Sequence, residues 1–126
     1  MSTKRILIVD DEPDIREVAQ MSLETVSGWQ ILTAESGHEG ITKAKQEKPD
    51  AILLDAMMPG MDGAATFEEL QGDPSTKQIP VIMFTAKVQA ADRKRFADLG
   101  VKDIIAKPFD PMKLGSQIAA ILGWSQ

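Results

Sequence analysis

Five short apolar runs recur along the chain, each bounded by turn-forming or charged residues. They predict strands at residues 5–10, 30–34, 51–55, 81–85 and 103–107. The clearest run is Ala51-Ile52-Leu53-Leu54-Asp55, which lies between Pro49 and Pro59-Gly60. An apolar run without polar alternation is typical of a strand that is covered on both faces, as in a parallel sheet. The pattern therefore indicates central strands with helices on either side.

Between these runs, apolar residues recur at helical spacing. The segment Glu12-Pro13-Asp14 suits a first helical turn, and the helix it opens is predicted to end at Gly28. The residues that keep helical spacing in this segment are Ile15, Val18, Ala19, Ser22, Leu23 and Val26. A second helix is predicted after Gly37, and Asp62 is the predicted N-cap of the third. The last three helices are predicted at about 64–71, 89–99 and 111–122.

The order of these elements is strand then helix, five times, with no internal repeat and no low-complexity segment. This alternation is typical of an α/β fold in which helices cover both faces of a parallel sheet. We predict a flavodoxin-like (βα)5 doubly wound parallel sheet with strand order 2-1-3-4-5. In that order the carboxyl ends of the first and third strands lie side by side, where such folds bind ligands.

Length and composition narrow the class of protein. The 126 residues suit a single domain with its core at about 4–123, and we expect no output domain. A formal net charge of −5 argues against direct binding of nucleic acid or of an anionic membrane surface. The chain contains no cysteine, which excludes disulfides and thiolate metal sites. No apolar run has the length of a signal sequence or a membrane span, so we predict a cytoplasmic protein without membrane insertion.

Reactive side chains stand at the ends of four predicted strands. Asp10 and Asp11 follow the first, Asp55 ends the third, Thr85 ends the fourth and Lys107 ends the fifth. The carboxyl ends of parallel strands share one edge of the sheet, so these groups are expected to meet around Asp55. Crowded carboxylates raise one another's pKa unless a cation lies among them, and Mg²⁺ suits such oxygen ligands. These are the parts that an aspartate needs to accept a phosphoryl group.

Four motifs carry a family resemblance, and each lies at the end of the appropriate predicted strand. They are Val9-Asp10-Asp11-Glu12, Leu54-Asp55-Ala56-Met57-Met58-Pro59-Gly60-Met61-Asp62-Gly63, Phe84-Thr85-Ala86 and Lys107-Pro108-Phe109. Each motif alone is weak, but four in this order are highly specific. On them the chain resembles the response-regulator receiver domain of two-component signalling, which has the CheY-like fold. The resemblance covers residues 4–123 and implies a stand-alone receiver.

The resemblance implies a role for each matching residue. Asp55 is expected to accept a phosphoryl group from the phosphohistidine of a sensor histidine kinase or of a histidine phosphotransfer protein. Asp11 is expected to bind Mg²⁺ directly, and Asp10 is expected to act as its partner, often through water. Asp55 and the backbone carbonyl of Met57 are expected to complete the protein's contribution to the metal site.

Two further residues resemble the switch elements of the family, and one position departs from it. Thr85 resembles the hydroxyl that moves toward the phosphoryl group, and Lys107 resembles the lysine that pairs with it. The bond between Lys107 and Pro108 is expected to be cis, although cis bonds are a minority even before proline. Three residues before this lysine, receivers usually carry Tyr or Phe, whereas this chain has Ile104. Isoleucine has no ring to bury or expose, which argues against aromatic-gated switching.

The expected output surface is the face formed by the fourth helix, the fifth strand and the fifth helix. We expect phosphorylation to bias this face, because a local charge affects distant partners only through an element with two states. The candidate contacts with an unknown downstream protein are Lys87, Arg95, Lys102 and Lys113. A homodimer that forms through this face on phosphorylation is left open.

Two alternatives to a phosphorylated receiver remain open. Phosphatases of the haloacid-dehalogenase type also use an aspartate nucleophile, but in an Asp-x-Asp pattern that Asp10-Asp11 does not match. A receiver-like scaffold would bind partners without phosphorylation, yet an unused cluster of acids would be costly to keep together. We therefore expect a phosphoacceptor and not a turnover enzyme. His38, the only histidine, is predicted to be a solvated surface residue, which argues against a zinc site.

Overall fold

The sheet and its helices follow the predicted alternation. The computed structural model describes residues 3–86 and 89–124. The strands are β1 (Arg5–Val9), β2 (Gln30–Ala34), β3 (Ala51–Asp55), β4 (Val81–Thr85) and β5 (Asp103–Ala106). The helices are α1 (Pro13–Val26), α2 (Gly37–Glu47), α3 (Gly63–Gln71), α4 (Ala90–Leu99) and α5 (Leu114–Leu122). All strand pairs are parallel and the order is 2-1-3-4-5, which confirms the predicted flavodoxin-like fold.

The two faces of the sheet form separate hydrophobic layers because successive strand residues point to opposite sides. Leu7 and Val9 of β1 belong to the layer that packs beneath α2, α3 and α4, together with Phe67 and Phe96. Ile6 and Ile8 belong to the opposite layer, which packs against α1 and α5 through residues such as Leu23 and Ile118. All residues of β3 and β4 are buried, as the unbroken apolar runs predicted. These central strands give the site a rigid base.

Helix α1 buries a narrower stripe than the full set of apolar residues at helical spacing. Ala19, Ser22 and Leu23 are buried, but Val18 and Val26 are 44% and 48% exposed. Helical spacing alone therefore does not place these two valines in the core. Val18 lies about one residue's rotation (roughly 100°) from Ala19, beside the stripe, and Val26 is the last helical residue. Both side chains therefore lie at the margin of the contact between the helix and the sheet.

Helix α5 begins at Leu114 and not at residue 111. The carbonyl oxygen of Asp110 accepts hydrogen bonds from the N–H groups of both Lys113 and Leu114, each at 3.0 Å. The side chain of Asp110 also accepts a hydrogen bond from the N–H of Met112 at 2.9 Å. These contacts form a separate turn before the helix. The ends of the other elements agree with the predicted ranges to within one or two residues.

Gly63 allows the start of α3 to pack directly on the end of β3. The side chain of Asp62 accepts a hydrogen bond from the N–H of Ala65 at 2.9 Å, which confirms Asp62 as the N-cap. The next residue, Gly63, donates its N–H to the carbonyl oxygen of Ala56 at 3.1 Å. A Cβ atom at Gly63 would lie 2.6 Å from the carbonyl oxygen of Asp55. The backbone that carries Asp55 is thus held against α3.

We expect Gly63→Ala to destabilise the fold by about 1–3 kcal/mol, because the new methyl group would force backbone atoms apart. Urea unfolding of the two proteins measures the change. Gly72→Ala is the matched control, since a Cβ atom there meets nothing closer than 3.5 Å. An equal loss of stability in the two variants would contradict the close approach at Gly63.

Two tryptophans meet at the amino end of the sheet, opposite the strand ends that carry the site residues. Trp29 precedes β2 and Trp124 follows α5, and their ring centroids are 5.5 Å apart at an interplanar angle of 84°. The ammonium of Lys4 lies 4.6 Å from the centroid of the Trp124 ring. This edge-to-face pair attaches the end of the last helix to the sheet.

Candidate functional site

The carboxyl ends of β1, β3 and β4 bring three polar side chains into the protein interior. Val9 pairs with Leu54 in the sheet, so the next residues, Asp10 and Asp55, lie beside each other. Asp55 in turn pairs with Phe84, the residue before Thr85. Asp10, Asp55 and Thr85 are only 0%, 2% and 1% exposed. Polar groups this deeply buried at one edge of the sheet require partners of opposite charge or hydrogen-bond donors.

Lys107 supplies the positive charge at the centre of this edge. Its Nζ atom lies 2.7 Å from Oδ2 of Asp10, 3.5 Å from Oδ2 of Asp55 and 3.6 Å from Oε1 of Glu12. Burial alone would lower the pKa of Lys107, but the close approach of Asp10 and the charges of Asp55 and Glu12 hold it above its usual value. The ammonium therefore stays charged and joins the acids that follow β1 to the acid that ends β3.

Lys107 is also positioned by aromatic rings and by the backbone. Its ammonium lies 4.9 Å from the centroid of the Phe84 ring, and the centroid of Phe109 lies 5.2 Å from that of Phe84. The backbone N–H of Lys107 donates to the carbonyl oxygen of Thr85 at 2.9 Å. The bond between Lys107 and Pro108 is cis, as predicted. The Phe84 ring and the backbone hydrogen bond to Thr85 thus hold the lysine at the site.

Asp55 is oriented by one backbone donor. Its Oδ1 atom accepts a hydrogen bond from the N–H of Met57 at 3.0 Å, while Oδ2 faces Lys107. Burial raises the pKa of Asp55 to about 7, and the charge of Asp10 and a hydrogen bond with Asp11 act in the same direction. The Met57 N–H and the charge of Lys107 lower that pKa without cancelling the shift. Near neutral pH this carboxyl is therefore close to the balance between its two forms when no other cation is bound.

Four carboxylates converge closely enough to share one metal ion. Asp10, Asp11, Glu12 and Asp55 each place a ligand atom within 4.8 Å of the others. Oδ1 of Asp10 accepts a hydrogen bond from the N–H of Glu12 at 2.9 Å. Its Oδ2 atom is buried and accepts no hydrogen bond of normal geometry within the described residues, although Lys107 lies close to it. A donor set of carboxylate oxygens, one of them without a hydrogen bond, fits a hard cation such as Mg²⁺.

Glu12 is a member of this cluster that the sequence analysis missed. It was interpreted as an acid that opens a helix and as the last residue of a family motif, without a role at the metal site, and the structure places it beside Lys107 with its side chain 61% exposed. A third acid directly after Asp10-Asp11 was the available signal. Of the predicted metal ligands, the structure brings Asp10, Asp11 and Asp55 together. The predicted ligand role of the Met57 carbonyl stays a prediction.

The remaining predicted residues lie near the site or on the output face. Ile104 is buried and packs in the same layer as Phe96 and Val101, so its side chain fills a core position. Arg95, Lys102 and Lys113 are exposed, as a partner contact requires, and Lys87 lies outside the described residues. His38 is exposed, in agreement with its predicted solvation.

Sequence comparison decides the family. A sequence model described as the response regulator receiver domain matches residues 6–119 of the chain. The chain belongs to the response regulator receiver domain family. Its relative PilH of Pseudomonas aeruginosa is 42% identical over 118 residues, which are 94% of this chain and 97% of PilH. The predicted family is therefore confirmed, and the chain is a receiver domain of the two-component systems.

Solved structures agree with this assignment. The chemotaxis protein CheY4 of Vibrio cholerae matches with a TM-score of 0.89 and 26% identity, over 95% of this chain and 99% of that one. The receiver domain of a sensor histidine kinase from Pseudomonas aeruginosa matches with a TM-score of 0.85 and 27% identity, over 97% and 99% of the two chains. That crystal structure has a magnesium ion coordinated in its active-site cleft. Receiver domains interact with histidine kinases, and this neighbour is itself part of one.

The receiver matches only part of several other relatives. It is 35–40% identical to a group of curated transcriptional regulators and spans 45–53% of their length. The chain thus spans about half the length of these relatives, and their activities and partners carry over to it only as proposals. Among the described residues, no helix is both long and apolar enough to cross a membrane.

Proposed function

We propose that this receiver accepts a phosphoryl group on Asp55 in a Mg²⁺-dependent reaction. The donor is the phosphohistidine of a sensor histidine kinase or of a histidine phosphotransfer protein. The observation that carries the proposal is the position of the Asp55 carboxylate, buried among three other acids with Oδ2 at 3.5 Å from Lys107. A buried carboxylate beside a lysine and a site for a divalent cation is a suitable nucleophile, because the two cations offset the negative charge of the incoming phosphoryl group.

Each residue of the site has a separate role in the proposed phosphoryl transfer. One oxygen of Asp55 forms a bond to phosphorus while the bond between phosphorus and the donor's imidazole nitrogen breaks, and that nitrogen keeps the electron pair and takes up a proton. The N–H of Met57 holds Oδ1 of Asp55 in place during the attack. Lys107, which is 11% exposed and charged, is near enough to pair with an incoming phosphoryl oxygen. The hydroxyl of Thr85, at the end of the neighbouring strand, is the donor we assign to another phosphoryl oxygen.

The acids that follow β1, together with Asp55 at the end of β3, would hold Mg²⁺. Asp10, Asp11, Glu12 and Asp55 are the side chains whose oxygens converge. When bound, the ion neutralises these carboxylates and the oxygens of the transferred group. The magnesium ion in the cleft of the kinase receiver supports this choice of metal. The predicted carbonyl of Met57 is retained as a candidate fifth ligand.

The phosphorylated receiver signals through the face of α4, β5 and α5, with no turnover of a separate substrate. A hollow of about 190 Å³ on this face is lined by Phe96, Lys102 and Ile104 among others. The exposed cations Arg95, Lys102 and Lys113 suit a partner with acidic groups. Because Ile104 is a packed core residue, we assign the switch to shifts of Thr85 and α4 and not to a swinging ring. The downstream protein, a phosphorylation-dependent homodimer and the cytoplasmic location stay predictions.

Intact-mass spectrometry tests the proposal directly. The receiver is incubated with acetyl phosphate with and without Mg²⁺, beside Asp55→Ala. We expect the wild type to gain one phosphoryl group only with Mg²⁺, and the variant to gain none. The reason is that the variant lacks the nucleophile and keeps every other charge of the site.

One control variant and two further outcomes complete the test. Asp62→Ala removes an acid that caps α3 and lies outside the metal cluster, so this variant should still be phosphorylated. No mass gain on the wild type would favour the scaffold that works without phosphorylation. Steady release of phosphate from a generic ester such as p-nitrophenyl phosphate would instead favour the phosphatase.

A further inference from the structure

Arg16 is a charged residue of α1 that the proposed chemistry does not use. It lies in the first turn of the helix, and its side chain is only 15% exposed. Nη1 donates a hydrogen bond to the carbonyl oxygen of Asp10 at 2.7 Å. Nη2 forms an ion pair with Oε1 of Glu35 at 3.4 Å, in the loop between β2 and α2. The two arms of one guanidinium thus connect α1 with the loops that follow β1 and β2.

The backbone of Asp10 is held from both sides where the chain leaves β1. Its N–H donates to the carbonyl oxygen of Ala34 at 3.1 Å, and its carbonyl receives Arg16. Asp10 itself is fully buried, so this carbonyl would otherwise need another donor in the interior. Beyond it, the loop residues Asp11 and Glu12 belong to no strand. Within the described residues, the bond from Arg16 is therefore the last tertiary hydrogen bond on the backbone before Asp11 and Glu12.

Arg16 differs from Lys107 in the group that it contacts. Lys107 lies against Oδ2 of Asp10, an oxygen that the metal ion would also use. Arg16 donates to the carbonyl oxygen and so does not use a carboxylate oxygen of Asp10. It brings a positive charge to a crowded acidic cluster without competing for its ligand atoms. Such a group stabilises the arrangement of ligands whether or not the metal is bound.

We propose that Arg16 is a positioning residue for the metal-binding acids, acting through the carbonyl oxygen of Asp10. This inference rests on the proposed Mg²⁺ site and deepens it. Loss of the guanidinium lets the segment of Asp10, Asp11 and Glu12 move away from Asp55. The ligands then have to be reordered each time the ion binds. The free receiver consequently binds Mg²⁺ more weakly, while the chemistry at Asp55 is unaltered once the ion is in place.

Calorimetric titration with Mg²⁺ alone tests this inference on the unphosphorylated receiver. We expect Arg16→Met to weaken Mg²⁺ binding roughly 10-fold, as is typical when a residue that supports a metal ligand is removed. Arg16→Lys, which can still donate one hydrogen bond, should recover most of the affinity. The Mg²⁺ concentration that gives half-maximal phosphorylation should rise in parallel, with little change in the maximal rate.

Glu35→Gln is the matched control, because it removes the ion pair and leaves the bond from Arg16 to Asp10 in place. This variant should bind Mg²⁺ within twofold of the wild type. Urea unfolding without Mg²⁺ reports any purely structural effect of each substitution. Equal Mg²⁺ affinity in folded Arg16→Met and wild type would overturn the inference. So would a loss in Glu35→Gln as large as that in Arg16→Met.

The same titration distinguishes the inference from the function on which it rests. If Arg16→Met is unfolded, Arg16→Gln, which is shorter and lacks the charge of the guanidinium, carries the test: we expect it to bind Mg²⁺ more weakly than Glu35→Gln, and equal affinities in these two variants would overturn the inference. A wild type that binds Mg²⁺ but takes no phosphoryl group would refute the proposed function alone. A wild type that does not bind Mg²⁺ at all would overturn both.

Discussion

Replacing Asp55 with asparagine is expected to make the receiver more stable, by about 2–4 kcal/mol above pH 7 in buffers without divalent cations. Burial is the main reason that the pKa of Asp55 rises from 3.8 to about 7 in the folded protein. Between about pH 4 and pH 7 the folded state therefore binds more protons than the unfolded state. The free energy of unfolding falls as pH rises through that window. Above about pH 7 the ionised carboxylate of Asp55 destabilises the fold by its full amount.

The difference between Asp55→Asn and the wild type isolates this cost, because the other titrating groups are common to both proteins. Urea unfolding at pH 4, 6 and 8 with a chelator should give a difference near zero at pH 4 that grows with pH. Mg²⁺ should reduce the difference at pH 8, since the cation stabilises the ionised carboxylate of the wild type alone. A difference that stays constant with pH would contradict the assignment of the shift to Asp55.

Asp98→Asn is the matched control for a surface acid. Asp98 pairs with Lys94 at 3.2 Å on α4, and both side chains are well exposed. Exposed pairs of this kind contribute little, so the control should change the stability by less than about 0.5 kcal/mol at each pH. The contrast between the two aspartates would show that burial, and not the loss of a charge as such, raises stability.

Replacing Lys107 with methionine is expected to destabilise the receiver by about 3–5 kcal/mol at pH 8 without divalent cations. Among residues 3–86 and 89–124, the Lys107 ammonium forms the ion pairs with the carboxylates of Asp10 and Asp55, which are almost fully buried. Its pKa lies above the usual value, so the ammonium is fully charged at pH 8, and this pH also lies above the pKa of about 7 of Asp55. Removing it leaves two buried carboxylates facing each other.

A double-mutant cycle separates this electrostatic loss from lost packing. Methionine keeps the apolar stem of the lysine, and the Asp55→Asn background removes one of the two facing charges. We expect Lys107→Met to cost markedly less in that background, with a coupling free energy of about 1–3 kcal/mol in urea unfolding. Equal costs in the two backgrounds would mean that packing, and not charge, explains the role of Lys107 in stability.

The sequence allowed the fold and the centre of the site to be predicted for one physical reason. Central parallel strands are covered on both faces, so they appear as unbroken apolar runs, and the residue that ends each run lies at a known edge of the sheet. That reasoning places Asp10, Asp55, Thr85 and Lys107 at one edge of the sheet. The roles of these residues in phosphoryl transfer came from the family resemblance and are still to be tested.

The residues and the helix boundary that the sequence did not reveal depend on contacts without a periodic pattern. Arg16 binds a backbone carbonyl, and every residue has one, so no pattern of residue types marks the contact. Glu12 was missed because an acid before a helix has a sufficient local explanation. The first turn of α5 was misplaced because the Asp110 carbonyl accepts hydrogen bonds from two successive N–H groups and forms a separate turn. These three features depend on tertiary contacts or turn geometry, which cannot be predicted from the spacing of residues along the chain.

The contact between Trp29 and Trp124 gives the protein a fluorescence and dichroism signal that reports on one end of the sheet. The two indoles meet edge to face, about 16 Å from the edge that carries Asp55 if one counts a five-residue strand at 3.3 Å per residue. Their emission and near-ultraviolet dichroism follow the contact between the end of α5 and the start of β2. These signals therefore report the loss of the whole fold in the unfolding experiments and are insensitive to events at Asp55. A tryptophan-based readout of metal binding or phosphorylation would need an indole introduced at the opposite edge.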